Sequence, residues 1–359
     1  MSFSVGIVGL PNVGKSTLFK ALTKKLVDIA PYPFTTINPN IGIVAVPDKR
    51  LEEIAKIIKP EKITPTIIEF VDIAGLVKGA HKGEGLGNQF LVNIKNCDAI
   101  LEIVRSFKDD KVEHVAGEIN PERDIEIIKT ELLMKDLEAV DNAISNTENK
   151  SKSGDKESIK KLTIFKKIKE NLSQGKSVKE TDLNEEELMI IKEYQFLTQK
   201  PIVYIMNTGD QEQTINEKEY LVQINLKTEE ELSELSEKEK EELKMDGQLD
   251  QIIIACYNIL DLITFYTVAG GKETRAWTLK KGAKCPEAGG KVHSDFEEKF
   301  IKAEVVPWQK LVAASKEASL APSGREVGNI WSKSRDQGLM KIAGRDYIVN
   351  DGDVIEFKI

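Results

Sequence analysis

Cysteine and histidine are scarce in this chain, and neither is grouped. Its 359 residues include three cysteines, Cys97, Cys256 and Cys285, and three histidines, His81, His114 and His293. The cysteines lie far apart without metal-ligand spacing; Cys97 and Cys256 sit in apolar, helix-like segments, so buried free thiols there and a reducing, cytoplasmic setting are expected. The scattered histidines argue against a histidine-built metal site. No run of about 18 apolar residues occurs, so no membrane span or membrane partner is expected. Met1-Ser2-Phe3-Ser4 leads directly into a strand pattern, so no secretory leader is expected. The 40% hydrophobic and 31% charged composition is that of a globular protein long enough for two or three domains.

The net charge of −8 is unevenly spread. From Lys272 to Ile359 there are 16 basic against 13 acidic residues, a net of +3, which leaves −11 for the remainder. Part of the acidic excess lies in Glu230, Glu231, Glu234, Glu237, Glu239, Glu241 and Glu242, a pattern that reads as a solvated helix face. Lys280, Lys281, Lys284 and Lys291 could meet RNA phosphates, although a net of +3 is weak support.

The chemistry is concentrated near the start. Gly9-Leu10-Pro11-Asn12-Val13-Gly14-Lys15-Ser16 fits G-x-x-x-x-G-K-[ST]. A strand pattern, Phe3 to Val8, precedes it, and a helix pattern from Thr17 follows. Glycines let such a loop curl around a phosphate, with its N–H groups and the helix N-terminus pointing inward. Asn12, Val13, Gly14, Lys15, Ser16 and Thr17 are therefore nucleotide-binding candidates. Lys15 would reach the β- and γ-phosphates, and Ser16 would hold Mg²⁺. Asp72, at the end of the strand pattern Thr66 to Val71, is a second metal candidate. Gly75 would bring its N–H to a γ-phosphate. Thr35 or Thr36, in a loop rich in proline and polar residues, would add a metal ligand. In this order the pieces form a nucleotide switch. A further strand pattern, Pro201 to Met206, ends in Asn207-Thr208-Gly209-Asp210. Guanine-specific proteins of this class carry Asn-Lys-x-Asp here. Thr208 removes the lysine, while Asp210 could still read guanine, so the base is left open. A simple turn closing the strand is the alternative.

Strands and helices alternate to about residue 130, which predicts a mostly parallel sheet with crossover helices. From Asp124 the period changes. Leu133, Leu137, Val140 and Ile144 recur at coiled-coil spacing, and after a polar break, Ser145 to Gly154, the pattern resumes at Ile159, Leu162, Phe165, Ile168 and Leu172. An antiparallel helical hairpin closing on itself is expected. In the last 80 or so residues, Thr274 to Leu279 reads as a strand, Asp295 to Lys302 as a helix, and Tyr347 to Phe357 as a hairpin around Asp351-Gly352. No catalytic grouping occurs there, so a binding module is expected.

The run Asp72-Ile73-Ala74-Gly75-Leu76-Val77-Lys78-Gly79-Ala80-His81-Lys82-Gly83-Glu84-Gly85-Leu86-Gly87-Asn88-Gln89-Phe90-Leu91 resembles the second switch of the Obg-like ATPases, and more narrowly of the YchF subfamily. Gly9 to Ser16, Tyr32 to Asn40 and the tail from Ala276 to Phe357 are similar as well, so the resemblance covers nearly the whole chain. It implies an α/β P-loop nucleotide-binding domain over 1–125 and 200–272, an inserted antiparallel coiled-coil hairpin over 126–199, and a ubiquitin-like α+β TGS domain over 273–359. It also implies ATP hydrolysis, with GTP as the alternative, and a ribosomal partner in translation or stress control, with rRNA contact through the TGS domain. The family usually closes the base motif with Glu; Asp210 is one methylene shorter. Its Ser-Ala-Lys-type loop is represented by Ile224-Asn225-Leu226-Lys227, with Lys227 placed to pack near the base. Leu320 to Gly328 has no familiar counterpart and reads as an enlarged loop. Many relatives place a water-orienting Gln after Asp-x-x-Gly; Leu76 stands there, as in the resembling family, so slow hydrolysis is expected. His114 matches a loop histidine assigned a catalytic role beside Lys15, a surface imidazole being the alternative. Asn12 resembles an asparagine that binds a monovalent cation, which implies stimulation by K⁺ in addition to Mg²⁺.

Overall fold

The computed structural model describes residues 3–24, 40–73, 91, 93–108, 118–152, 154–209, 221–243, 247–269, 272–318, 331 and 334–359. The chain forms two compact units, Met1–Val44 with Glu69–Ile259, and Ala45–Ile68 with Leu260–Ile359. Among the described residues no helix is long and apolar enough to cross a membrane.

The sheet of the first unit has the order β2-β4-β1-β5-β6-β7. Its strands are β1 (Phe3–Val8), β2 (Ile41–Ala45), β4 (Ile67–Asp72), β5 (Ala99–Arg105), β6 (Ile202–Asn207) and β7 (Leu221–Ile224), while β3 (Lys62–Thr64) belongs to the other sheet. All seven residues of β5 are buried, as a strand covered on both faces requires. It runs parallel to β1, with Ile7 opposite Leu101, and to β6, with Leu101 opposite Val203; β6 in turn runs parallel to β7. At the other edge the Asp72 N–H donates to Asn40 O at 2.8 Å and the Val46 N–H to Thr66 O at 2.9 Å, so β2 and β4 are antiparallel. The parallel strands end on one side, where open α/β sheets bind ligands.

Two long helices of the first unit, α3 (Pro121–Lys152) and α4 (Lys156–Ser173), pack through Leu133, Val140, Ala143, Ile164, Phe165, Ile168 and Leu172. The break expected at Ser145 to Gly154 is not there: α3 is helical through Lys152. Its polar side chains bond back to their own helix, Ser145 Oγ to Asp141 O at 2.9 Å and Thr147 Oγ1 to Ala143 O at 2.7 Å, so they cost the helix little. Gly154, with φ +85°, makes the turn. A buried Asp136 on α3 accepts from Leu197 N, Thr198 N and Thr198 Oγ1 at 2.8, 2.8 and 2.7 Å, and so pins the returning chain.

The second unit has a sheet of order β11-β10-β12-β8-β9-β3. Its further strands are β8 (Leu262–Ala269), β9 (Glu273–Lys280), β10 (Lys302–Pro307), β11 (Lys341–Ala343) and β12 (Asp353–Lys358). One core cluster gathers Ile263, Phe265, Leu279, Phe300, Val305 and Phe357. A second sets Leu51, Ile54 and Ile58 of α2 (Lys49–Ile58) against Tyr266, Val306, Leu311 and Val354. Residues 45–68 therefore group with 260–359, although 1–125 and 200–272 were expected to form one domain. Polar links reinforce this: Tyr266 OH donates to Asp48 Oδ2, and Arg50 Nη1 to Asp351 Oδ2, each at 2.5 Å.

Two local expectations differ here. The helix expected over Asp295 to Lys302 is confined to α10 (Ser294–Glu298), because the Ile301 N–H bonds Lys358 O and draws the chain into the sheet. No hairpin forms around Asp351-Gly352. The Asp353 carboxylate holds Asn350 N and Tyr347 OH, both at 2.9 Å, and the preceding segment pairs elsewhere, Val349 N–H to Ala283 O and Tyr347 O from Cys285 N–H.

Candidate nucleotide site

The phosphate loop follows β1 and passes directly into α1 (Lys15–Lys24). Asn12 takes the left-handed conformation, φ 64°, which asparagine tolerates better than most residues. Gly14 has φ +109°, and a Cβ there would sit 2.6 Å from Asn207 Nδ2, so this position accepts only glycine. The buried Lys15 ammonium donates to Leu10 O at 2.7 Å and Gly9 O at 3.1 Å. Burial brings its pKa down to about 8, with the Asp72 charge pulling the other way. Burial likewise raises the Asp72 carboxyl, opposed by Lys15.

The base motif is joined to this loop by one side chain. Asn207, 5% exposed, donates from Nδ2 to Val13 O at 2.9 Å and accepts at Oδ1 from Leu226 N at 3.1 Å. It thereby couples the phosphate loop, the end of β6 and the start of α6 (Leu226–Leu232). The Thr208 N–H bonds Ile224 O at 2.9 Å. Asn225 caps α6 by accepting from Lys227 N at 3.1 Å and Thr228 N at 3.2 Å.

These elements enclose a cavity of about 550 Å³. Asn12, Gly14, Lys15, Ser16 and Thr17 line one part of it, and Asn207, Thr208, Gly209, Asn225, Leu226 and Lys227 another. Val13 contributes through its carbonyl rather than as a wall. Asp72 is not a lining residue; its link is electrostatic, through Lys15. The Ser16 hydroxyl, on the cavity wall, and the Asp72 carboxylate, linked electrostatically to Lys15, are hard oxygen donors of the kind Mg²⁺ takes. Thr36, Gly75, Leu76, His114, Asp210 and the stretch Leu320 to Gly328 lie outside the described residues.

Two lining residues went unread in the sequence, Phe107 and Lys108, and a third, Glu230, was read only as part of a solvated helix face. Phe107 and Lys108 directly follow β5, whose carboxyl end lies between those of β1 and β6, so the parallel topology was the signal available for them. Glu230 lies one turn beyond Leu226 on α6, and its carboxylate is 3.7 Å from Lys20 Nζ on α1. Lys24, at the end of α1, pairs with Glu234, just beyond the end of α6, at 2.5 Å.

Two family models match the chain. One, described as a 50S ribosome-binding GTPase, matches residues 4–153. The other, the YchF-GTPase C-terminal family described as a protein of unknown function (DUF933), matches residues 262–359. The ribosome-binding ATPase YchF of Pasteurella multocida is 44% identical over 375 residues, spanning 100% of this chain and 99% of that protein. The protein of the same name from Bacillus subtilis is 41% identical over 378 residues, with coverage of 100% and 99%. Among solved structures, the Schizosaccharomyces pombe YchF GTPase is similar at a TM-score of 0.83 and 33% identity, covering 99% of this chain and 98% of that one. Identity of 41–44% over the full length of these relatives, with the phosphate loop in a matching nucleotide-binding domain, places the chain in the YchF family of Obg-like P-loop proteins.

Proposed function

We propose that the chain is an ATP-binding, slowly hydrolysing P-loop switch that docks on ribosomes or ribosomal subunits. The observation that carries the nucleotide reading is the cavity itself, with the phosphate loop and the Asn207–Gly209 turn held as one wall system by Asn207. In this reading Lys15 leaves the loop carbonyls for the β- and γ-phosphates, and the N–H groups at the start of α1 face the same anion. Ser16 and Asp72, with Thr36, would hold Mg²⁺, which when bound neutralises charge on the phosphates. Asn12 would face K⁺. The base rests among Phe107, Thr208 and Lys227, with Asp210 as the edge-reading group. Thr208 stands where guanine-specific proteins of this class carry the lysine that packs on the base. That the related bacterial proteins are named ribosome-binding ATPases supports the nucleotide and the partner.

The catalytic step rests on positioning. Leu76 offers no hydrogen bond to an attacking water, so turnover is slow and His114 is the candidate to orient it. Slow turnover suits a switch whose two nucleotide states differ in docking. Residues 273–359 serve as the TGS binding module, with rRNA as its contact, and residues 126–199 as the inserted hairpin. A cytoplasmic location follows from a ribosomal partner. Pelleting with ribosomes in a non-hydrolysable ATP analogue and in ADP tests the switch: state-dependent co-sedimentation is expected, and equal binding in both states would overturn it.

A further inference from the structure

We propose that Arg105 is a positioning residue for the nucleotide base, acting through Phe107. Arg105 ends β5 directly opposite Asn207 in the strand register, and the Ser106 N–H donates to Asn207 O at 2.9 Å. Its side chain is the largest of the fully buried side chains among the described residues, at 2% exposure. Burying a guanidinium is costly unless the group is hydrogen-bonded and its charge compensated. Among its contacts, two are with one neighbour. The Nε–H donates to Phe107 O at 3.1 Å, and the guanidinium carbon lies 4.6 Å from the centre of the Phe107 ring. A planar fork that bonds a carbonyl while stacking on the ring of the same residue fixes both the backbone and the ring orientation there. Lysine has no planar face with which to do both.

Phe107 in turn lines the cavity beside Thr208 and Gly209. A Cβ added to Gly209 would approach Phe107 Cβ to 3.2 Å, so the root of the Phe107 side chain packs against the base-motif turn. One side of the ring is held by Arg105, and the residue lines the cavity together with the base-motif turn. Thr208 supplies no long side chain to cover a base, so a fixed Phe107 is the stacking surface available. Arg105 thus presets the base wall from behind without touching the nucleotide. The inference rests on the reading of the cavity as a nucleoside triphosphate site.

The test measures affinities of the full-length protein for Mg²⁺·ATP and for Mg²⁺·tripolyphosphate, which lacks ribose and base. The variants are Arg105→Lys, Arg105→Met, Phe107→Ala and the double variant Arg105→Lys/Phe107→Ala. Wild type should bind ATP more tightly than tripolyphosphate. Arg105→Lys and Arg105→Met should weaken ATP about tenfold, within the range of base–aromatic stacking, and leave tripolyphosphate unchanged. In the Phe107→Ala background, Arg105→Lys should have no further effect. ATP affinity retained in Arg105→Lys, an equal loss for both ligands, or a loss that persists without Phe107 would each overturn the proposal. Equal wild-type affinities for ATP and tripolyphosphate would instead overturn the nucleotide reading beneath it. Arg105→Lys preserves charge and stem, so the comparison stands on that variant if Arg105→Met fails to fold.

Discussion

Replacing Asn207 with alanine removes two buried hydrogen bonds in one step. The Val13 carbonyl loses its 2.9 Å donor, and the Leu226 N–H loses its 3.1 Å acceptor. Asn207 is 5% exposed, so water does not readily replace either partner. A buried polar group left unpaired costs about 1–3 kcal/mol, which gives a loss of about 2–6 kcal/mol for the pair. That is a large share of the roughly 5–15 kcal/mol that stabilises a typical domain. The loosened phosphate loop should also bind nucleotide at least about tenfold more weakly, equivalent to about 1.4 kcal/mol. Asn207→Asp separates hydrogen bonding from shape. It keeps an acceptor for Leu226 N–H but turns a carboxylate oxygen towards Val13 O, so it should be no better than alanine. The assays are urea unfolding followed by circular dichroism, which is dominated by the helices, and titration with a fluorescent nucleotide. A loss below about 0.5 kcal/mol in Asn207→Ala with unchanged nucleotide affinity would refute the reasoning, since surface substitutions commonly reach that level.

Other outcomes follow from the same geometry. Gly14→Ala should abolish tight nucleotide binding, because its Cβ meets Asn207 Nδ2 at 2.6 Å and its φ of +109° is strained for alanine; a titration showing wild-type affinity would contradict this. Asp136→Ala strands the Leu197 and Thr198 N–H groups and should cost about 3 kcal/mol in urea unfolding, with nucleotide affinity little changed. Tyr266→Phe removes the 2.5 Å bond to Asp48 and should cost about 1–2 kcal/mol. Its loss is best followed by tryptophan fluorescence, because Trp277, Trp308 and Trp331 all lie in the second unit. Burial pushes the Cys97 thiol up to about 11 and the Cys285 thiol up to about 12, from 9.0, and raises Cys256 further. These groups contribute stability that is fully present below pH 9 and lost as pH rises through 11 to 12. At neutral pH iodoacetamide should label none of the three until urea unfolds the chain, and rapid native labelling would contradict their burial.

Features written into adjacent residues were legible in the sequence. The phosphate loop shows because its glycines, Lys15 and Ser16 act within one turn of chain. The mostly apolar run of β5 shows because it is contiguous. Features that depend on distant partners did not show. Ser145 to Lys152 reads as a break by composition, yet its hydroxyls satisfy carbonyls one turn back and the helix continues. Asp351-Gly352 is a good hairpin turn locally, but Asp353 spends its carboxylate on Asn350 and Tyr347. The apolar face of α2 announces burial without naming the sheet that receives it, and only Tyr266, Val306 and Val354 decide that. Phe107 carries no motif, and its place in the site comes from strand order alone. The bracketing by Asn207 joins residues 194 positions apart, beyond the reach of any local pattern.

The most direct test of the central claim is the equilibrium affinity of the full-length protein for fluorescent ATP and GTP, side by side, with Mg²⁺ and K⁺. Tighter binding of ATP by at least about tenfold, or about 1.4 kcal/mol, is the predicted result. Tighter binding of GTP would mean that Asp210 reads guanine, and would contradict the assignment of the chain as an ATP-driven switch.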